Sequence, residues 1–387
     1  MRVCGVIAEY DPFHQGHAYH LAQARQAAGA DFVVCLISGC FTQRGAPALL
    51  SPRTRAEMAL RGGADAVLQM PYAFSAREAE YFALGGVYTF QRLGCVTHLS
   101  FGVETSEPET LFQAARLLEA PDDALEARVQ AGLRAGLSHA AAQGRAVTET
   151  LGLPPGALSA PNNALGIAYL RALLRLKSEL VPLPVLRQGA YHAAEVAPFP
   201  AASAVRRALL RGDWQGVWGA IPAPSQAPLR RAALEGALCP PDALDGLLRA
   251  QLLSMGEEAL ARLPGIGEGL ERRIARAAAE TVSREALIDR VKTRRYTRGR
   301  ISRALCHALM HVSAEELPAL PGYARLLGFR EGARPLLRRM QESGFPLYSR
   351  PARAADMALD IRADELWRIG AGLPRGEIYR EAPVILP

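Results

Sequence analysis

Lysine is almost missing from this chain of 387 residues: Lys177 and Lys292 are the only two. A Walker phosphate loop needs Gly-Lys-Ser/Thr, and neither lysine follows a glycine, so that route to a nucleotide is closed. No dinucleotide fingerprint follows the first apolar run, and no Gly-x-Ser-x-Gly elbow occurs; both classes fall away. The six cysteines form no Cys-x-x-Cys pair, which excludes a zinc ribbon or a disulfide framework and fits a reducing compartment. Apolar runs such as 32–38 are too short to span a bilayer. Glu9 and Asp11 interrupt the stretch where a signal peptide needs an unbroken apolar core. A soluble, cytoplasmic protein is expected, with no membrane association and no evident protein partner.

What is present is ordinary globular composition, 49% apolar and 21% charged, in a chain long enough for two or three domains and a substantial core. The net charge of +7 is lopsided. Residues 1–200 hold 16 Lys/Arg and 17 Asp/Glu, and residues 201–387 hold 29 and 21, giving −1 and +8. Such asymmetry suggests one half that works on small molecules and another that meets a polyanion. A compositional preference for arginine is the blander explanation.

The first half alternates short apolar runs with helical patterns. Strands are expected at 3–8, 32–38, 66–70 and 98–101, with a fifth at 184–186 and helices between them. This pattern argues for a Rossmann-like α/β fold, a doubly wound parallel sheet, whose ligands sit at the carboxyl ends of the strands. After residue 201 strand signals fade into Leu/Ala/Arg helix pattern, with a short extended tail near 382–386. The expected division is residues 1–212, then a mainly α-helical, basic domain over 213–387.

Phe13-His14-Gln15-Gly16-His17 follows the first strand and opens the first helix. A helix N-terminus offers unpaired N–H groups and the positive end of the dipole, Gly16 allows close backbone approach, and His14 and His17 can donate to one phosphate. Ordinary surface or structural histidines, or a metal set completed by His20, remain open readings. Arg290, Lys292, Arg294, Arg295, Arg298, Arg300 and Arg303 put seven cations in 14 residues around Tyr296, a composition suited to folded RNA or to a solvated helix face. Gly-rich 263–269 is compatible with a helix-hairpin-helix turn, although a plain loop is the simpler reading.

The opening Gly5-Val6-Ile7-Ala8-Glu9-Tyr10-Asp11-Pro12-Phe13-His14-Gln15-Gly16-His17 resembles that of the bacterial tRNA(Met) cytidine acetate ligase family, within the His-x-Gly-His nucleotidyltransferase superfamily. Matches continue at 38–45, 55–60, 63–65, 101–104, Pro161-Asn162-Asn163, Arg187 and 293–297. The resemblance implies a nucleotidyltransferase-type domain that joins ATP and acetate into acetyl-adenylate. The acetyl group then passes to N4 of the wobble cytidine of elongator tRNA(Met). It implies His14 and His17 as catalytic residues. It places Ile7, Ala8, Glu9, Tyr10, Asp11, Pro12, Phe13, Gln15, Gly16, Ala18, Tyr19 and His20 along the nucleotide, with Gly102, Asn162, Asn163 and Arg187. Ser203 and Arg206 stand where the superfamily contacts the leaving pyrophosphate. The basic run, Arg290, Lys292, Arg294, Arg295, Tyr296, Arg298 and Arg300, becomes the tRNA-binding set. Mg²⁺ is implied as the partner of the triphosphate, without a dedicated carboxylate cage. An adenylyltransferase that leaves AMP on a small phosphorylated product is the enzymatic alternative. An RNA-binding protein with a relic nucleotide site is the non-enzymatic one. The chain departs from the family at Asp11 (usually Asn), Gln69 (usually Glu), Ala201 (usually Ser) and after Tyr191-His192, where an Asp is expected.

Overall fold

Short apolar runs bounded by turn residues become the strands of one sheet. The computed structural model describes residues 1–105, 107–187, 201–351, 355–376, 378 and 380–387; Tyr191 and His192 lie outside them. Val3–Ala8 (β1), Phe32–Ile37 (β2), Ala66–Gln69 (β3), His98–Val103 (β4) and Val181–Leu186 (β5) run parallel in the order β5-β4-β1-β2-β3. β1 to β3 carry almost continuous Val, Leu, Ile and Cys, because helices cover both faces.

Helices Gln15–Ala28 (α1), Pro52–Arg61 (α2), Ala79–Arg92 (α3), Glu109–Glu119 (α4) and Pro161–Arg175 (α5) are among those of this half, which also holds helices Tyr72–Ser75, Asp123–Arg134 and His139–Thr150. α2 starts where Ser51 accepts from the Thr54 N–H at 3.1 Å and Pro52 takes the first turn. α3 comes unusually close to β1: a Cβ on Gly86 would lie 2.4 Å from Ile7, and one on Gly5 would lie 2.6 Å from Phe90. Any larger residue at either position would push helix and strand apart.

The expectation that strand signals fade after residue 201, down to a short extended tail near 382–386, is corrected by two further strands, while the tail is extended as expected. Ala324–Arg330 (β6) pairs antiparallel with β3, and Leu347–Tyr348 (β7) and Val384–Leu386 (β8) pair with β6. β6 is buried on both faces, so its run of Ala, Leu and Phe carries no alternation and reads like helix. The sheet begun by the first half is finished by the second.

The other C-terminal elements are helical. They include Ala202–Arg211 (α6), Arg284–Val291 (α7), Arg298–Met310 (α8) and Ala358–Gly370 (α9). Leu248, Leu260, Ile274, Ile288, Leu305 and Trp367 form a core that also takes in Cys40, Phe41 and Tyr72 from the first half. The loop after β2 is the junction. Arg284 donates to the Gly45 carbonyl at 2.6 Å, and Ser302 donates to the Arg44 carbonyl. A Cβ on Gly45, whose φ is +71°, would fall 2.6 Å from the Arg303 Cα. Nearby, the Gln69 amide donates to the buried Asp360 carboxylate at 2.9 Å. The Tyr72 N–H and the Tyr323 hydroxyl also donate to it. A Glu at position 69 would set carboxylate against carboxylate in this chain.

Candidate active site

β1 ends in a turn whose geometry is fixed from below. Phe13 is fully buried, meets Tyr10 edge-on at 5.0 Å and sits over Gly62. This delivers His14 to the N-cap of α1. The His14 Nδ1 accepts from the Gly16 N–H at 3.1 Å, and the His17 Nδ1 accepts from the His14 N–H at 3.3 Å. Two imidazoles thus form the reciprocal capping box usually made by Ser/Thr and Glu/Gln. The rings stack with centroids 3.7 Å apart. Because both Nδ1 atoms accept, each neutral ring carries its proton on Nε2, leaving two N–H donors free of the cap.

Burial, then Arg187 and Arg206, lowers the His14 pKa to about 3. Burial, then His14, Arg187 and His20, holds His17 well below its ordinary value. His20 falls to about 4 through burial and Arg187, and its Nε2 lies 3.0 Å from the Ser100 hydroxyl. All three are neutral near pH 7. Their ring resonances in the ligand-free protein are therefore expected not to titrate between pH 5 and 8 by NMR. A midpoint near 6.5 in any of them would contradict this burial. The linked stability has a definite sign: each folded pKa is depressed, so the contribution is complete above about 6.5 and is lost as pH falls toward 3–4.

The histidines face a cavity of about 400 Å³ at the carboxyl ends of β1, β4 and β5. Ile7, Ala8, Glu9, Tyr10 and Asp11 form its floor, with Gly16, Tyr19 and His20 beside them. Gly102, Asn162, Arg187, Ser203 and Arg206 also line it. Pro12, Phe13, Gln15, Ala18 and Asn163 are not in the lining. The two asparagines divide their labour. Asn163 is buried and accepts from the Glu104 N–H at 2.8 Å, tying α5 to the end of β4, whereas Asn162 lines the cavity and donates to the Glu104 carboxylate.

Gly102 on β4 makes room for the residue that follows β5: a Cβ there would press on the Arg187 side chain at 3.2 Å. Arg206 donates to the Asp11 carbonyl and stands 3.3 Å from its carboxylate, whose other oxygen accepts from the Leu49 N–H at 2.8 Å. The unusual Asp11 thus complements Arg206. Ala201 caps α6 without a side-chain hydrogen bond.

Sequence reasoning missed Gln43 and Arg44, which reach the lining from the loop after β2, and the apolar wall of Phe82, Phe101 and Tyr169. The signal for the first pair was present, because both lie within matched segment 38–45. Glu9 accepts from the Gln43 N–H at 2.8 Å. Arg55, fully buried, donates to the Glu9, Ser38, Gly39 and Leu50 carbonyls and binds the loops after β1 and β2 together. Among the described residues, no group of three or more His, Cys, Asp or Glu is placed to hold a metal ion.

The basic run lies apart from the cavity lining, and much of its charge is matched. Arg290 pairs with Glu280 at 2.8 Å, Arg295 with Glu268 at 2.8 Å, and Arg298 with Glu285 and Asp289. Arg300 donates to the Gly265 carbonyl at 2.8 Å, which ties the Gly-rich 263–269 turn to the start of α8. Tyr296 corrects an expectation. Its ring is buried and its hydroxyl donates to the Glu268 carbonyl, so it is core rather than a stacking surface. Lys292 and Arg294 are exposed, and their side chains make no ion pair or hydrogen bond with the described residues.

Comparison with known proteins gives a consistent picture. The family model for HIGH nucleotidyl transferases matches residues 1–376. The tRNA(Met) cytidine acetate ligase of Syntrophotalea carbinolica is 40% identical over 337 residues, covering 85% of this chain and 80% of that protein. The one from Clostridium kluyveri is 32% identical over 412 residues, covering 100% and 99%. The crystal structure of Thermotoga maritima TmcAL bound with α-thio ATP superposes with a TM-score of 0.91 at 28% identity, over the whole of both chains.

Proposed function

The chain belongs to the tRNA(Met) cytidine acetate ligase family of HIGH nucleotidyl transferases, and from that premise we propose that it joins acetate to N4 of the wobble cytidine of elongator tRNA(Met) in two steps. ATP occupies the cavity with its α-phosphate at the start of α1. An acetate oxygen attacks the α-phosphorus, the bond to pyrophosphate breaks, and acetyl-adenylate forms. The cytidine N4 then attacks the acetyl carbonyl, AMP departs, and the amine loses one proton.

The observation that carries this reading is the pair of Nε2–H donors on His14 and His17, held by their own capping box and flanked by Arg187 and Arg206. Neutral donors fixed in advance stabilise charge that grows on the phosphate without reorganising. Arg187 and Arg206 supply permanent cations for the triphosphate. Among the described residues the carboxylates of the lining are Glu9, which accepts from the Gln43 N–H, and Asp11, which accepts from the Leu49 N–H and pairs with Arg206. Mg²⁺ therefore fits as part of MgATP, where it neutralises the phosphates, rather than as a metal held by the protein. If acetyl-adenylate forms here, labelled pyrophosphate exchanges into ATP only when acetate is added. Exchange without acetate would overturn the first step.

Lys292 and Arg294, exposed and unmatched, are the members of the basic run best suited to phosphate contact. Replacing both with alanine is expected to flatten the dependence of log affinity for tRNA on log salt by about 1.5 to 2. An unchanged slope would move the RNA contact elsewhere.

A further inference from the structure

The chain has three tryptophans. Trp367 is sealed in the helical core, its Nε1–H donating to the Ala48 carbonyl at 2.6 Å. The other two stand together at the surface. Trp214 and Trp218, one turn apart on helix Trp214–Ala220, stack with centroids 5.2 Å apart and 20° between their planes. The Arg230 guanidinium lies 4.6 Å from the centre of the Trp218 ring. Trp214 keeps 37% of its surface in solvent, while Val217, Ala220 and the half-buried Trp218 make the helix's core contacts. The exposed Trp214 ring is not needed to seat this helix.

The surroundings carry one sign of charge. Residues 202–231 hold five arginines and a single acid, Asp213, whose carboxylate caps its own helix at the Gly216 N–H, 3.1 Å away. Arg206 and Arg231 are matched by Asp11 and Glu57. Arg207, Arg211 and Arg230 are exposed and make no ion pair with the described residues. This surface also has a fixed relation to the cavity. α6 starts in the cavity wall with Ser203 and Arg206 and rises about 15 Å over its ten residues before the Trp214 helix packs against it.

We propose that Trp214 and Trp218, with Arg207, Arg211 and Arg230, form a stacking platform for unpaired nucleotides beside the cytidine that is acetylated. The proposal rests on the ligase reading. A base that reacts at its exocyclic amine has to leave its neighbours, and those neighbours then need a new surface. The exposed Trp214 indole, backed by Trp218, offers stacking to any base, and the unmatched arginines offer charge to the backbone. The positive field selects a polyanion, and the flat aromatic faces select one that carries bases.

The test uses the intact protein and an anticodon stem-loop RNA, with binding followed by fluorescence anisotropy of the labelled RNA. Trp214→Leu is expected to weaken binding roughly 5- to 150-fold, the range for one lost base–aromatic stack. Trp214→Phe should retain most of the affinity. An RNA made abasic at the nucleotides flanking the acceptor cytidine should bind the unaltered protein as weakly as Trp214→Leu binds the intact RNA. Acetate-dependent pyrophosphate exchange should be unchanged in both variants, which also reports that they fold. Equal binding of the abasic RNA by the unaltered protein, or equal binding by the Leu and Phe variants, overturns the platform. Absence of exchange in the unaltered protein would instead overturn the ligase reading beneath it.

Discussion

Replacing His17 with alanine is expected to lower acetate-dependent exchange of pyrophosphate into ATP by roughly 100-fold or more, the usual size of losing one charge-stabilising donor. The substitution also removes the acceptor that holds the His14 N–H, so a damaged helix start is a competing cause. His17→Gln separates the two. Glutamine at the third helical position is an ordinary partner in a capping box, so the turn keeps its closure while the donor at the imidazole Nε2 is gone. Both variants should be slow, and only the alanine variant should lose stability, by about 1 kcal/mol as for a lost cap. Full exchange in His17→Gln would mean that the imidazole serves the fold and not the phosphate.

Arg187→Ala should weaken ATP by roughly 10- to 150-fold, because a charge-assisted hydrogen bond is worth about 1.5–3 kcal/mol. Affinity for tRNA should hardly change, since Arg187 lies in the cavity wall, across Gly102, and outside the basic run. A second readout distinguishes loss of charge from general damage. Arg187 contributes to the depressed pKa of His14, His17 and His20. Removing it should move all three midpoints back toward the ordinary imidazole value while burial keeps them below it. Equal losses for ATP and tRNA, with unmoved histidines, would assign Arg187 a structural role.

The parts of this molecule that could be read from sequence are those whose causes are local. β1, β2 and β3 are apolar runs closed by turn residues, and His14-Gln15-Gly16-His17 carries its own helix start. β6 was hidden because burial on both faces erases alternation, and its partner β3 is some 260 residues away. The partners of the basic run are hidden for a similar reason. Arg295 is matched by Glu268, 27 residues earlier, and Arg290 by Glu280, so a run dense in cations on the page is largely neutralised in space. Tyr296, placed between those cations, is held inward by the same loop. Asn162 and Asn163 are adjacent and chemically identical, and only the direction of α5 decides which one meets the cavity. Gln43 and Arg44 lie in the matched segment 38–45, but their place in the lining depends on the folding of the loop after β2 against Glu9 and the C-terminal helices.

The most direct measurement is mass spectrometry of nucleosides from elongator tRNA(Met) incubated with the protein, ATP and isotopically labelled acetate. Labelled N4-acetylcytidine at the wobble position, formed only with ATP and accompanied by AMP release, is the result that follows from acyl-adenylate chemistry at His14 and His17. Unlabelled cytidine after exhaustive incubation, or a product that retains AMP, would contradict it.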